Sequence, residues 1–454
     1  MKSLFIILTF IALCMPALNA FASQTDPSAT STQVVPINWK RFDKSFKSNN
    51  DINQSRQILV NMARYNLAWI TKTFKADDQQ GIYEINHFDE NGIRPSVCVC
   101  YGLAVALRCA ALNDKELGTS REEAFKRISM LIKGLAITYK ANRSNGKGWG
   151  KDWQSAFWAN MLGEGAWMLW DKLDPETREM VQNVIVNEAD RFIAPGYKVP
   201  YWTAPDGHVN TPGDTKAEEN AWNATVLQVA VAMMPHHPNV EKWKHICTEL
   251  MISAFSLKSD LQNNKIVDGK PVRAWLNGFN VREDGAVINH NIIHPDYTLT
   301  IHINARSFLT QSLAGETVSQ ASQWNSPFVY RSLAEHVWTS PPYCSPGGTM
   351  YLPGKAEVYY PQGTDWSKFR YDIYYLTDVY AHILGWDKGL KHKASEWMRI
   401  RANRILKMQA RHSDGHMYTH EEYPTYPGCE QMVAWLGGDA YLLFWLNAHH
   451  AIKL

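Results

Sequence analysis

Apolar residues recur at three- and four-residue steps along most of the chain, and sustained strand-type alternation is nearly absent. This periodicity predicts helices over 52–72, 96–112, 120–141, 153–173, 175–193, 217–234, 239–256, 295–314, 321–338, 366–384, 390–410 and 429–448. Start signals agree with the pattern: Asp174-Pro175-Glu176 opens one helix and Ser120-Arg121-Glu122-Glu123 another. Some segments are apolar and aromatic all round, such as 157–170 and 429–446, whereas 176–191 carries charge on one side. Paired in order, apolar inner helices and charged outer ones predict an all-α fold, an (α/α) toroid of six to seven helical hairpins. A helical solenoid is the alternative, but no signature repeats at a fixed period.

Three insertions rich in turn residues interrupt the pattern at 194–216, 257–294 and 339–365, with a short strand or two expected near 264–288. Long irregular loops inside a compact domain are usually functional, so the mouth of the ring is the expected site. The N-terminus reads differently. Lys2, the apolar run from Leu4 to Leu18 and Ala20-Phe21-Ala22 form a secretory signal peptide over residues 1–22. Leu13 before Cys14 is bulky where a lipid-anchoring signal takes a small residue, which favours a soluble exported form, periplasmic or extracellular. Residues 23–38 are expected to be a flexible leader and 39–454 a single catalytic domain, with no later membrane span.

Lys and Arg total 46 against 44 Asp and Glu, so no strong field favours nucleic acid or a membrane surface. The six cysteines beyond the leader are too sparse for a disulfide framework. The 18 Trp, 20 Tyr and 16 Phe change the picture more. Flat aromatic faces stack on sugar rings, although most of these side chains are expected to fill the core.

Four clusters carry candidate chemistry. In Asn289-His290-Asn291-Ile292-Ile293-His294-Pro295-Asp296-Tyr297, Pro295 and Asp296 suit a first helical turn capped by His294. Tyr297 would then stand at the positive end of the dipole, which favours a bound carboxylate and partial ionisation of the phenol. Glu219, Asn220 and Trp222 begin the helix after Thr211-Pro212-Gly213-Asp214, with Glu218 read as a dipole-complementing acid. Tyr360, Asp365 and Trp366 precede another helix, where Asp365 serves equally as an N-cap. Trp149, Lys151 and Trp153 form an aromatic and cationic group. His290-x3-His294 with Asp296, and His412-x3-His416-x3-His420, offer metal ligands. The first lacks the Glu of the HExxH pattern, and in the second Ser413-Asp414-Gly415 reads as a turn, so no metal and no cofactor is expected.

Together, Glu-Glu-Asn-Ala-Trp (218–222), Asn-His-x3-His-Pro-Asp-Tyr (289–297) and Gly-Thr-Asp-Trp (363–366) resemble the helical-toroid polysaccharide lyases, most of all polysaccharide lyase family 38, which acts on alginate and glucuronan. Glycoside hydrolase family 154, exo-acting β-glucuronidases on a similar ring, is the competing resemblance. The lyase resemblance implies β-elimination on an acidic polysaccharide. Tyr297 would be base and acid, His290 the partner base, Asn220 and Asn289 the groups that neutralise the uronate carboxylate, and His294 an orienting residue. Arg282 would reach the uronate unless it pairs with Glu283 or Asp284. Glu219, Trp222, Trp149, Trp153, Tyr360, Asp365 and Trp366 would hold sugars. A hydrolase would use two of Glu219, Glu283, Asp284 and Asp365 instead. A non-catalytic oligosaccharide-binding protein would need no such cluster of titratable groups.

Overall fold

A computed structural model describes residues 33–423 and 427–453; the expected signal peptide and the leader up to residue 32 lie outside the described residues. The chain is mostly helical. Its helices are α1 (Asn50–Thr73), α2 (Ile93–Arg108), α3 (Asp114–Leu117), α4 (Arg121–Ile137), α5 (Ser155–Met168), α6 (Pro175–Asp190), α7 (Ala217–Met233), α8 (Val240–Ala254), α9 (Pro295–Thr298), α10 (Ile301–Ala305), α11 (Ser307–Ala314), α12 (Ser326–Glu335), α13 (Tyr371–Leu384), α14 (Ala394–Gln409) and α15 (Cys429–Ala448). The only strands among the described residues form three two-residue hairpins: β1 (Ala76–Asp77) with β2 (Ile82–Tyr83), β3 (Ile266–Val267) with β4 (Lys270–Pro271), and β5 (Ile288–Asn289) with β6 (Ile292–Ile293).

The helix starts are written in the residues. Ser120 accepts the amide of Glu123 and Asp174 that of Thr177, as N-caps do. Every residue of α5 is buried, and so is α15 from Cys429 to Leu446. Helices without a polar face are stable only when covered all round. The buried helices pack in the order α15 on α2, α2 on α5, α5 on α7, α7 on α10 and α11, α10 on α13, and α13 back on α15. The α2–α15 crossing is close enough to require glycine: a Cβ at Gly102 would lie 2.3 Å from the carbonyl oxygen of Ala434. One buried cluster runs from Val34 to Ala451. It absorbs eleven of the 18 tryptophans, of which Trp149, Trp158, Trp167, Trp243, Trp338, Trp386, Trp397 and Trp435 are fully buried.

Two segments depart from the pattern. Residues 34–37, assigned by composition to a leader, are docked. Val34 and Ile37 are buried, and the Val35 amide donates to the Met233 carbonyl at 2.8 Å. The helix expected over 295–314 is broken into α9, α10 and α11. Amides of Thr300, His302, Ile303 and Arg306 reach back only three residues, to Tyr297, Leu299, Thr300 and Ile303, which is the tighter 3-10 pattern. The hydroxyls of Thr298 and Thr300 take the carbonyls of His294 and Tyr297 and compete with the regular ladder. No helix of the described residues is long and apolar enough to cross a membrane. All six described cysteines are free thiols.

Candidate active site

The site grows from the β5–β6 hairpin. Ile288 pairs with Ile293 and Asn289 with Ile292, leaving His290 and Asn291 as a two-residue turn. Both have positive φ, 51° and 64°, the conformation that right-twisted strands require of such a turn. A histidine adopts it at a cost of roughly 1–2 kcal/mol, and strain of this kind tends to gather at functional positions. The hairpin is clamped on two sides. The Asn291 amide donates to the Gly213 carbonyl, where φ is +75° and a Cβ would lie 2.0 Å from Asn291 Oδ1. The Thr215 amide donates to the Ile288 carbonyl at 2.9 Å, and the Ile293 amide to Gln362 Oε1 at 2.6 Å. These contacts bring the start of α7 and the 360–366 loop against the hairpin.

Asp365 stands at the centre. One carboxylate oxygen lies 2.5 Å from His290 Nδ1 and the other 3.1 Å from His294 Nε2. Burial alone would raise this carboxyl, yet the two imidazole hydrogen bonds outweigh it and hold Asp365 below the usual carboxylate range. On the far side of the ring, His290 Nε2 lies 3.3 Å from the Tyr297 hydroxyl. The Trp366 ring covers the group, with its centroid 4.9 Å from Tyr297, 5.2 Å from His294 and 6.0 Å from His290. His294 is fully buried, Tyr297 is 6% exposed, and His290 and Asp365 are open to solvent.

Pro295 and Asp296 occupy the first turn of α9 as expected, with His294 at the cap. The expected ionisation of Tyr297 is not what this surrounding favours. Burial, then the neighbouring carboxyls of Glu218, Asp365, Asp296 and Asp214, push the phenol far above its ordinary range, outweighing one short turn of helix. Tyr297 therefore keeps its proton. Asp296 faces away from the cluster: one oxygen accepts Tyr374 at 2.5 Å and Tyr360 at 3.2 Å. Tyr360 is thereby a buried support for α9, not a surface for sugar.

The other sequence candidates divide. Trp153 is 58% exposed and lies 5.4 Å from the half-buried Trp222, which stacks on Phe157 at 5.9 Å. Trp149 is a core residue whose indole donates to the Leu135 carbonyl. Asn220 is fully buried, and its amide donates to the Pro200 carbonyl and Ser253 Oγ at 2.9 Å each, so it is not brought to the cluster. Arg282 pairs with Asp284 at 2.7 Å, and Glu219 with Lys216 at 3.1 Å. Lys151 donates its backbone amide to buried Glu188. Asn289 is buried, and its amide reaches Glu218 Oε2 at 3.4 Å. Glu218 is the residue that reading the sequence set aside. Burial, then Asp214 and Glu219, push its carboxyl well above the usual range, against weaker opposition from Arg94 and Lys216.

Among the described residues, His290, His294 and Asp365 are a group whose ligand atoms lie within 4.8 Å of one another, so they could hold a metal ion. Asp365 takes the place that the sequence assigned to Asp296. The 2.5 Å contact is too short for two ligands of one tetrahedral cation with bonds of about 2.1 Å, and it suits an N–H donating to a carboxylate. In the second histidine run, His412 and His416 stack at 3.6 Å and His416 bonds Asp414 within the expected turn. A hollow of about 470 Å³ lined by His245, Cys247, Asp268, Lys270 and Trp275 contains none of the cluster.

No family model matches the chain, and no curated protein does. A solved structure of a glycosidase variant is similar at 12% identity, over 90% of this chain and 100% of that one, with a TM-score of 0.37. A likeness that loose carries neither fold nor activity across.

Proposed function

We propose that this protein is an exported polysaccharide lyase that cleaves a uronate-containing chain, of the alginate or glucuronan kind, by β-elimination on a ring of helices. The circular packing order of the buried helices supports the ring. The observation that carries the chemistry is the continuous line from Asp365 through His290 to the Tyr297 hydroxyl. Asp365 holds the hydrogen of His290 on Nδ1, which leaves the Nε2 lone pair directed at Tyr297.

In the reaction, His290 Nε2 takes the C5 proton of the uronate. The C5 electron pair forms the C4=C5 double bond, the C4–O4 bond breaks, and O4 receives the Tyr297 proton. The proton on His290 then crosses the 3.3 Å contact to the tyrosinate and resets both groups. This division of labour differs from a tyrosine acting as both base and acid, because a phenol held far above its ordinary range is a donor. Trp153 and Trp222 supply aromatic faces for neighbouring sugars.

One observation favours a hydrolase instead. The Glu218 carboxyl is pushed well above the usual range and the Asp365 carboxyl held below it, the divergence expected of an acid and base pair. Both Asp365 oxygens are engaged by imidazoles, however, which leaves it poorly placed to activate water. The two readings separate in one assay. Polymannuronate, polyguluronate and glucuronan are incubated with the protein, following low-ultraviolet absorbance and new reducing ends. Both rising together is the expected result. New ends without absorbance establish hydrolysis, and neither signal with retained binding establishes a binding protein.

A further inference from the structure

We infer that the hollow between α7, α8 and α11 is a second binding site, separate from the site of cleavage, that takes a small sugar acid. This goes beyond the reaction proposed above and does not depend on it.

The hollow is built from matched faces of three helices. Gln228 and Val231 of α7, Thr248 and Met251 of α8, and Ser307 and Gln311 of α11 line it. Spacings of three or four residues put each pair on one side of its helix. Trp275 and the β3–β4 hairpin close a further side. Gln228 stands ten residues beyond Glu218 along α7, a rise of about 15 Å, and neither His290 nor Tyr297 lines the hollow. Its volume of about 470 Å³ falls within the roughly 300–1,000 Å³ of small-molecule sites.

The walls carry polar groups with nothing to bond. Ser307 is 2% exposed, Thr248 8% and Gln311 9%. The hydroxyls of Ser307 and Thr248 and Oε1 of Gln311 have no hydrogen-bond partner among the described residues, and none of the three is sealed within the protein. Gln311 spends only its amide nitrogen, 3.5 Å from the Gln228 carbonyl. Two hydroxyls that donate or accept, beside an amide oxygen that accepts, match the hydroxyls of a sugar ring. Val231, Met251 and Trp275 offer apolar surface to its carbons.

Charge at the mouth adds the acid function. Asp268 is committed to Ser319 Oγ at 2.6 Å and to the amides of Gln320 and Ala321, and Glu241 to Lys244 at 2.8 Å. Lys270 makes no ion pair among the described residues, although Glu249 of α8 is near it. Its ammonium lies 3.4 Å from His245 Nδ1 and 4.5 Å from the centre of the Trp275 ring. An uncommitted cation above neutral polar walls selects an anion, and the hydroxyls below select a sugar acid over a bare carboxylate.

Calorimetric titrations with glucuronate, glucose and acetate test this on wild type, Lys270→Gln and Gln311→Leu, with melting temperature and polymer cleavage followed alongside. Lys270 is exposed, so Lys270→Gln should fold like wild type even if Gln311→Leu does not. Wild type should bind glucuronate more tightly than glucose or acetate. Lys270→Gln should weaken glucuronate binding roughly ten- to a hundredfold, the scale of a hydrogen bond to a charged group, and leave glucose unchanged. Gln311→Leu should weaken both sugars by roughly tenfold. Cleavage should stay within about twofold of wild type in both variants, because neither residue touches the cluster. Glucuronate binding that is absent in wild type, or unaltered in both variants, overturns the inference. Equal binding of glucose or acetate overturns the ligand class, and a fall in cleavage that follows the loss of binding overturns the separateness of the site. Cleavage without absorbance would defeat the elimination reading and leave this one standing.

Discussion

Replacing Tyr297 with phenylalanine isolates one oxygen. The ring of Tyr297 is 6% exposed and packs against Trp366 at 4.9 Å and His294 at 4.9 Å, contacts that phenylalanine keeps. Its hydroxyl contacts His290 Nε2 at 3.3 Å, a long hydrogen bond to a group open to solvent. Losing such a bond costs about 0.5–1.5 kcal/mol at most, because water satisfies the imidazole in its place. The folded state should therefore survive with little change in melting temperature. Turnover depends on the same oxygen differently. Without it no proton reaches the departing O4, and the proton on His290 has no route back. A positioned general acid contributes roughly 10²–10⁴-fold, so kcat should fall by that factor. KM should change little, since Trp153, Trp222, Asn289 and Glu218 are untouched. Stopped absorbance assays on an alginate or glucuronan substrate, with thermal unfolding alongside, read both quantities. Near-wild-type kcat in a folded variant would refute the line of transfer from His290 through Tyr297. A large fall in stability would show that the hydroxyl is structural.

Asp365→Asn should cost roughly 10²–10⁴-fold in kcat with little loss of stability, because an amide facing His290 Nδ1 favours the wrong tautomer and removes the bare Nε2; unchanged kcat would show that Asp365 only holds the fold. Dialysis against a chelator should leave turnover intact, while added zinc should inhibit by drawing His290 Nδ1, His294 Nε2 and Asp365 onto one cation; activity lost on chelation and restored by zinc would contradict this. At the base of α15, burial pushes the Glu430 carboxyl up to about 8 against the opposing amides of Tyr418 and Met417. A raised carboxyl favours its protonated folded form, so its contribution to stability is present below about 4.5 and lost as pH rises through about 8. Thermal unfolding of Glu430→Gln should therefore show a shallower decline over that window than wild type, and parallel curves would refute the assignment.

The helices were legible because each has a one-sided or wholly apolar pattern that only burial explains, and eleven of the twelve expected segments are each occupied mainly by one helix. The exception, 295–314, looks regular in periodicity but is broken by hydroxyls that bond the backbone, a competition that spacing does not display. At the site, the 289–297 cluster was readable because so many chemically capable residues fall within one hairpin and turn. Its neighbours were harder, since their roles depend on direction. Asn220 is two residues beyond Glu218, about 200° round the helix, so it turns to Pro200 and Ser253 while Glu218 faces Asn289. Asp365 read equally as an N-cap, but α13 starts only at Tyr371, which leaves the carboxylate for the two histidines. Glu218 looked like an ordinary first-turn acid because nothing local reveals that a hairpin some seventy positions later will bury it.

The polar interior explains how so irregular a segment can hold its side chains in place. Residues 294–306 cannot rely on a continuous helical ladder, so their position must come from side chains. Asp296 is gripped by Tyr360 and Tyr374, one from the 360–366 loop and one from α13. At the other end Arg306 is fully buried between Glu164 of α5 and Asp439 of α15, with Thr310 also bonded to Glu164. An arginine between two buried acids is costly to separate: removing one partner from such a group typically destabilises by about 3–5 kcal/mol. Sliding this segment by one residue would break both grips at once. The broken helix is therefore fixed at Asp296 and Arg306, and Tyr297 stands next to the first of these anchors. Tolerances of about half an ångström, which proton transfer at a positioned group requires, follow from that double attachment and not from the short helices themselves.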